Sequence, residues 1–389
     1  MPADSQRPGG GPRGPHRLVA TAAGGTEDLL AGELRALSLP QVRQVRGAVT
    51  FEGSLGDALR ACVELRTAMR VLLSLADVAA PGPEGLYDSL RALPWADHLD
   101  LRRTFAVEVS GSSEGLTHSL FVAQKAKDAI ADKLRASLGG RPDVNPRDPD
   151  VRVVLHLHRG RAEVSLDVAG DSLHRRGWRA VPHRASLKET LAAALLLAAG
   201  YAGERPLCDP LCGSGTIAIE AALLAENRAP NARRRFGVER WPAFGDAERR
   251  LLAELRDGAL SRVRRARPPI FASDRDAEAL AATRANAKRA GVALEISEAD
   301  VRELAPPAPA GLVVTNPPYG GKAGGGGGTK QLKSFFHSVG LASRRWHGWT
   351  MAFLAGSPAF ESAFAMRPVG RRKLFNGPIP CELLTYQVR

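Results

Sequence analysis

Four adjacent residues combine groups that can hold an exocyclic amino nitrogen: Asn316, Pro317, Pro318 and Tyr319. They follow the apolar run 311–315, which is typical of a buried parallel strand, and the two prolines must end that strand. The amide oxygen of Asn316 and the carbonyl oxygen of Pro317 can each accept one N–H, which would aim the nitrogen lone pair at an electrophile. Tyr319 can stack on the ring that carries the amino group. The motif therefore predicts chemistry at a ring amino group, and the alternative is a strand-ending turn with an exposed tyrosine.

A glycine-containing turn lies upstream, between a short apolar strand and an apolar helix predicted over 217–224. Its residues are Asp209, Pro210, Leu211, Cys212, Gly213, Ser214 and Gly215. Gly213 and Gly215 would let the backbone approach a ligand closely where the helix begins. Ala218 stands where a dinucleotide fingerprint has its third glycine, so the turn is not that fingerprint. An ordinary tight turn between a strand and a helix is the alternative.

Three acidic residues follow predicted strands further along the chain. Asp274 ends the strand predicted over 269–274, where a carboxylate can accept both hydroxyls of a ribose. Asp276 is a candidate N-cap for the helix that follows, although the two carboxylates could exchange these roles. Asp300 ends an apolar alternation that begins at Leu294, and it could meet an adenine amino group or be a solvated loop acid.

All these residues follow strands, and open α/β sheets bind ligands at the carboxyl ends of their strands. The motifs occur in the order glycine turn, Asp274, Asp300 and Asn-Pro-Pro-Tyr. In this order of motifs, the C-terminal half resembles the class I S-adenosylmethionine-dependent methyltransferases that act on amino groups. The resemblance implies a Rossmann-like α/β domain with a mostly parallel sheet and a C-terminal antiparallel hairpin. It implies that Asn316, Pro317, Pro318 and Tyr319 hold the target nitrogen, and that S-adenosylmethionine is bound by Asp209, Pro210, Gly213, Ser214, Gly215, Asp274 and Asp300.

The resemblance extends over nearly the whole chain. Six segments are similar, in order and spacing, to the bacterial 23S ribosomal RNA guanine-N2 methyltransferases that carry a THUMP RNA-binding domain. These segments are 18–34, 125–130, 149–152, 166–167, 174–179 and 188–193. The family architecture implies a ferredoxin-like α+β unit over 18–75, a THUMP domain over 76–170, a basic linker over 171–185 and a methyltransferase domain over 186–389. One departure follows Tyr319, where the family usually has an acidic and then a basic residue and this chain reaches five glycines at 324–328.

Length and composition agree with several domains and an anionic partner. A chain of 389 residues is too long for one ordinary domain, and a formal charge of +13 with a pI near 10.2 favours a polyanion such as RNA. The four cysteines form no C-x-x-C pair, which predicts a reduced, cytoplasmic environment and no metal site. No apolar run reaches membrane length, and we expect no signal peptide. Residues 1–17, rich in Pro, Gly and Arg, are predicted to be disordered.

Three basic regions are candidates for RNA contact. The helix predicted over 120–138 carries lysines and arginines that could equally form a solvated face. The linker 171–185 is rich in arginine, and Ser186–Glu189 is a capping-box pattern that predicts the start of the next helix. The insertion 228–268 interleaves arginines with aromatic residues, which suits single-stranded nucleic acid or, alternatively, a small helical lid. These aromatic residues are Phe236, Trp241 and Phe244.

The function that these patterns and the resemblance together predict is methyl transfer from S-adenosylmethionine to the N2 of a guanine in 23S ribosomal RNA. The amino nitrogen would attack the methyl carbon in line, with the base unpaired or flipped to reach Asn316. Three alternatives share parts of the sequence: a transfer RNA guanine-N2 methyltransferase, a protein glutamine-N5 methyltransferase and a non-catalytic RNA-binding ribosome-assembly factor. The basic charge argues against a protein substrate, and the intact Asn316, Gly213 and Gly215 argue against a non-catalytic factor.

Overall fold

The computed structural model describes residues 15–180, 186–320 and 328–388. Most of the predicted N-terminal tail, the end of the basic linker and nearly all of the glycine run after Tyr319 lie outside these residues. Within the described ranges, the chain forms two seven-stranded sheets with flanking helices. The predicted fold class, an α/β methyltransferase domain preceded by α+β units, is confirmed.

The first sheet belongs to the N-terminal half. In chain order, the elements of this half are β1 (His16–Thr21), α1 (Glu27–Ala36), β2 (Arg43–Val45), β3 (Ala48–Gly53), α2 (Leu55–Glu64), β4 (Arg70–Ala79), α3 (Pro83–Ala92), β5 (Phe105–Gly111), α4 (Ser119–Leu138), β6 (Val151–His158) and β7 (Arg161–Asp167). The strand order is β2-β3-β1-β4-β7-β6-β5. β5 and β6 are parallel, and the other neighbouring strands are antiparallel. β1 begins at His16, so the predicted disordered tail extended too far.

The strand β4 joins the two predicted N-terminal units into one sheet. It is ten residues long, and it pairs with β1 along one edge and with β7 along the other. The pairing with β7 runs from Leu72 opposite Asp167 to Ala79 opposite Arg161. The expected boundary after residue 75 therefore falls inside β4, because this strand is long enough to pair with both units.

The helix α4 packs on this sheet through residues at helical spacing. Val122, Ala126 and Ile130 are buried, and Gly139 ends the helix with a positive φ of 78°. The amino group of Lys125 pairs with Glu84 at 2.6 Å. The helix predicted over 120–138 is confirmed, and part of its basic face is engaged within the protein.

The second sheet belongs to the C-terminal half. In chain order, the elements of this half are α5 (Glu189–Ala198), β8 (Leu207–Asp209), α6 (Thr216–Ala225), α7 (Asp246–Ser261), β9 (Ile270–Asp274), α8 (Ala277–Ala290), β10 (Glu295–Glu298), β11 (Gly311–Thr315), α9 (Thr329–Ser343), β12 (Trp349–Ala355), α10 (Ala359–Ala363), β13 (Gly370–Asn376) and β14 (Ile379–Gln387). The strand order is β10-β9-β8-β11-β12-β14-β13.

The first five strands of this order are parallel, and β14 runs antiparallel to both β12 and β13. The predicted terminal hairpin is therefore confirmed. The parallel strand β11 is buried throughout, which explains its continuous apolar sequence. Because the carboxyl ends of β8, β9 and β11 lie at one edge, the glycine turn, Asp274 and Asn316 are brought together there.

The insertion 228–268 packs into the core of the N-terminal half. Phe236, Trp241 and Phe244 are 3%, 6% and 4% exposed, and they share one apolar cluster with the first sheet. The predicted stacking surface for single-stranded RNA is therefore wrong, because the rings are used to bury apolar area. The alternative of a lid is wrong as well, since α7 packs against α2.

The basic linker is largely a structural connection between the two halves. The side chains of Arg176 and Glu220 are fully buried and form an ion pair at 3.4 Å. Arg176 also donates to the Leu173 carbonyl oxygen at 2.9 Å, and Arg179 pairs with Glu189 at 3.0 Å. A buried guanidinium requires such partners, so these two arginines are committed to the fold rather than free for RNA.

The predicted capping box at Ser186–Glu189 is not formed. The helix α5 begins at Glu189 with Lys188 as its N-cap, and no side chain caps it. The Ser186 hydroxyl instead lies 3.0 Å from the Ser214 hydroxyl of the glycine turn. The serine therefore contacts the candidate site described next.

Candidate active site

A cavity of about 1410 Å³ opens at the carboxyl ends of β8, β9 and β11. Most of the predicted site residues line it, namely Asp209, Gly213, Ser214, Asp274, Asp300, Asn316, Pro317, Pro318 and Tyr319. Two predicted residues do not line it. Pro210 is buried beside the strand, and Gly215 is the N-cap of α6.

The glycine turn is held by hydrogen bonds from three directions. The Gly213 N–H donates to Asp274 Oδ2 at 2.9 Å, and the Gly213 carbonyl accepts from the Thr283 hydroxyl at 2.7 Å. Gly215 has a φ of 82°, and a β-carbon there would lie 2.8 Å from the Thr283 side chain. Asn286 donates to the Ser214 carbonyl at 3.0 Å. Position 215 therefore requires glycine for both its conformation and its packing.

Asp274 and Asp276 have different roles in the backbone. Asp276 is the N-cap of α8, and its Oδ1 accepts from the Glu278 N–H at 2.9 Å. Asp274 does not cap a helix, and its two oxygens accept from the Gly213 N–H and from the Asp276 N–H at 3.1 Å. Asp274 thus connects the glycine turn to the end of β9, with both carboxylates on the cavity wall.

Asp209 is a buried acid at the end of β8. It is 1% exposed, and its Oδ1 accepts from the Thr315 hydroxyl at 2.6 Å. Burial raises the pKa of the Asp209 carboxyl to about 7, with a smaller contribution from the charge of Asp274. This carboxyl can therefore change its charge near neutral pH.

Asp300 is paired within its own loop. Its Oδ1 accepts from Arg302 Nε at 2.8 Å and from the Arg302 backbone N–H at 2.9 Å. The hydrogen bond from the Arg302 side chain lowers the pKa of Asp300 to about 2. An adenine amino group would therefore share this carboxylate with Arg302.

Asn316 and Tyr319 lie at the other end of the cavity. Among the described residues, the side-chain oxygen of Asn316 is buried without a hydrogen-bond partner. The Tyr319 ring packs on Gly356, where an added β-carbon would lie 2.5 Å from the ring. The Tyr319 hydroxyl lies 3.4 Å from Asn376 Nδ2, and burial raises the pKa of its phenol. The site thus presents an unused acceptor beside a fixed, neutral tyrosine.

Sequence reasoning missed the residues that hold this site from distant positions. Four of them form hydrogen bonds to the predicted site residues from other elements, namely Thr315, Thr283, Asn286 and Arg179. Three others line the cavity, namely Phe335, Asn376 and Ile379. The signal for Thr315 was available, since a polar residue ends an otherwise apolar strand beside the motif. The signal for the other residues is weak, because their spacing depends on the order of strands in the sheet.

Three family models match this chain. Residues 17–72 match the RlmL ferredoxin-like domain and residues 83–167 match the THUMP domain. Residues 176–385, more than half of the chain, match the RMKL-like methyltransferase domain. The chain belongs to the RMKL-like methyltransferase family. The order of the three matches is the order that the sequence resemblance implies.

Curated relatives of this RMKL-like protein are named ribosomal RNA large subunit methyltransferase K/L. The protein from Syntrophotalea carbinolica is 39% identical over 392 residues, which cover 96% of this chain and 54% of the relative. The protein from Allochromatium vinosum is 39% identical, with coverage of 96% and 52%. The chain therefore spans about half the length of the curated relatives it matches.

Solved structures share the architecture of the RMKL-like chain. SMU.472, described as a methyltransferase and solved with SAH, has a TM-score of 0.86 at 27% identity over 97% of this chain and 99% of its own. A predicted N6-adenine-specific DNA methylase from Listeria monocytogenes has a TM-score of 0.85 at 28% identity, over 97% of each chain. TrmN from Thermus thermophilus, at 23% identity and a TM-score of 0.69, shows a shared fold.

Neither a metal-ligand group nor a membrane-spanning helix is present in the part of the RMKL-like chain that the structure describes. No group of three or more His, Cys, Asp or Glu side chains there has a geometry that could hold a metal ion. Within the same residues, every helix is too short or too polar to cross a bilayer.

Proposed function

We propose that this chain transfers a methyl group from S-adenosylmethionine to the exocyclic N2 of a guanine in large-subunit ribosomal RNA. The observation that carries the proposal is the buried side-chain oxygen of Asn316, which has no hydrogen-bond partner in the part of the chain that the structure describes. A buried acceptor without a partner is costly, at about 1–3 kcal/mol, so its retention favours a ligand that donates to it. Asn316 lines the same cavity as the glycine turn and Asp274, which suits a methyl donor at one end and an amino group at the other.

The residues at the glycine-turn end fit S-adenosylmethionine. The turn exposes backbone at Gly213, Asp274 offers carboxylate oxygens suited to ribose hydroxyls, and Asp209 offers a negative charge to a cation. Support comes from SMU.472, which was solved with SAH. When bound, the donor would supply a methyl group on a positively charged sulfur, with a neutral thioether as the leaving group. The methylated amino nitrogen would then lose one of its two protons to solvent.

At the other end, this chain's residues would orient the nucleophile. Asn316 Oδ1 and the Pro317 carbonyl would accept the two N–H groups of the guanine amino group, which directs its lone pair toward the methyl carbon. The neutral Tyr319 would contact the base. Positioning and desolvation would supply most of the rate, since two fixed acceptors need no reorganisation when the bond forms.

Three observations support RNA as the substrate. Residues 83–167 match the THUMP domain, the chain carries a formal charge of +13, and the curated relatives are named for large-subunit ribosomal RNA. A cytoplasmic location follows from this substrate and is proposed with it. The target guanine must be unpaired or flipped, because a base stacked inside a duplex cannot enter the cavity that Asn316 lines.

The experiment is methyl transfer by the purified full chain from tritiated S-adenosylmethionine to protein-free 23S ribosomal RNA. Transfer RNA and a glutamine-containing release-factor protein serve as alternative acceptors. We expect label in 23S RNA and N2-methylguanosine in its nucleosides by mass spectrometry. Label in transfer RNA alone, in protein alone or in none of the three would reject the proposal.

A further inference from the structure

The target end of the cavity extends beyond Asn316 to an apolar rim. Ile379, at the tip of the terminal hairpin, lines the cavity and is 41% exposed. Phe335, on α9, also lines it. An apolar side chain at a hairpin tip, where polar residues are usual, leaves area that a flat ring could cover.

We propose that the hairpin tip Asn376–Ile379 is one wall of a slot for the unpaired purine, with Ile379 packing against the base. The inference rests on the proposed function and extends it to the residues that recognise the nucleotide. Asn316 lines the same cavity as Ile379, and its side-chain oxygen has no hydrogen-bond partner among the described residues. A purine supplies both an apolar face for Ile379 and an amino group for Asn316.

The hairpin tip is coupled to the residue that flanks the nucleophile. Asn376 Nδ2 lies 3.4 Å from the Tyr319 hydroxyl, and Cys381 Sγ lies 3.6 Å from the same oxygen. The other side of the tyrosine ring is against Gly356. The hairpin therefore positions Tyr319 as well as presenting Ile379.

The hairpin is also held by neighbouring elements, which makes its tip a defined surface. Arg371 pairs with Glu361 on α10 at 2.6 Å. Arg372 donates to the Gly25 carbonyl at 2.8 Å and pairs with Asp28, both in the loop and helix that follow β1. The hairpin that forms this wall is thus connected to the loop and helix that follow β1 in the N-terminal half.

The test compares Ile379→Ala and Ile379→Asp with Val369→Ala in the full chain. Val369 is a matched control, because it is 68% exposed, precedes the same hairpin and does not line the cavity. Ile379→Val tests rescue by a similar shape. Each variant is assayed for kcat and for KM with 23S ribosomal RNA, for S-adenosylmethionine affinity by calorimetry, and for thermal unfolding.

We expect Ile379→Ala to lower kcat/KM for RNA about tenfold, as for the loss of one apolar contact, and Ile379→Asp to lower it further. Ile379→Val and Val369→Ala should stay within about twofold of the parent, a range smaller than one such contact. Cofactor affinity and unfolding should not change. If the parent is active and both Ile379→Ala and Ile379→Asp keep its kcat/KM, the role of Ile379 is overturned and the proposed function stands. A parent inactive on RNA would overturn it together with the proposed function.

Discussion

The glycine-turn end of the cavity and its Asn316 end differ in how their polar groups are satisfied. At the glycine turn, Asp274 accepts from the Gly213 N–H, and Thr283 and Asn286 donate to the carbonyls of the turn. At the other end, the Asn316 oxygen has no partner among the described residues. The carbonyls and the N–H of the turn named here are therefore satisfied within the protein, whereas the Asn316 oxygen is available to a ligand that donates to it.

Because of this difference, mutations at the two ends should have different effects. Changing a residue of the satisfied end breaks internal hydrogen bonds, so stability and cofactor affinity should fall together. Changing Asn316 removes an oxygen that has no hydrogen-bond partner among the described residues, so the effect should be confined to the chemical step. The predictions below test this separation.

The largest effect is expected for Asn316→Ala. Loss of an acceptor that aligns the nucleophile should slow methyl transfer by about a hundredfold or more. Single-turnover transfer of tritiated methyl measures this rate, while calorimetry should show unchanged S-adenosylmethionine affinity. Thermal unfolding should be unchanged or slightly raised, since an unsatisfied buried oxygen is removed.

The matched control is Asn286→Ala at the satisfied end. Asn286 donates to the Ser214 carbonyl and accepts from the Ala180 N–H at 2.8 Å. This variant should lose stability and cofactor affinity instead. Comparable turnover by Asn316→Ala and the parent would remove Asn316 from the proposed mechanism.

An intermediate effect is expected for Asp274→Ala. The substitution would remove an acceptor from both the ribose hydroxyls and the Gly213 N–H. The free energy of S-adenosylmethionine binding should therefore weaken by ~1.5–3 kcal/mol. Calorimetry measures the change. Asp276→Ala is the control, because it removes a helix cap at a cost of about 1 kcal/mol in stability and should keep the affinity. The opposite pattern would assign the ribose to Asp276.

The smallest effect concerns pH. Burial raises the pKa of Asp209 to about 7, so the carboxyl is neutral below that value and negatively charged above it. A cationic ligand prefers the charged form, and its affinity should rise with pH, by at most about tenfold between pH 6 and pH 8. Calorimetry across this range should show the rise in the parent and a smaller one in Asp209→Asn. Equal pH profiles would show that Asp209 does not meet the cation.

The local patterns of the C-terminal half could be read directly. The apolar run before Asn316 predicted β11, and Asp276 predicted the start of α8. Such features depend on neighbours within a few residues, which the chain order already places together. The prediction from local sequence was wrong at the insertion 228–268. Arginines beside aromatic residues suggested an RNA-binding surface there, but the aromatic rings are buried in the N-terminal core.

The chemical groups at the strand ends follow directly from the amino-acid sequence: a glycine turn, an acid and an amide followed by prolines. Their hydrogen-bond partners come from packing between elements that are distant in the chain. Thr315 reaches Asp209 across neighbouring strands, and Tyr319 meets Asn376 of the terminal hairpin. These contacts depend on strand order and on packing between elements far apart in the chain. The physical reason is that a side chain's type is local, whereas its hydrogen-bond partner is set by the whole fold.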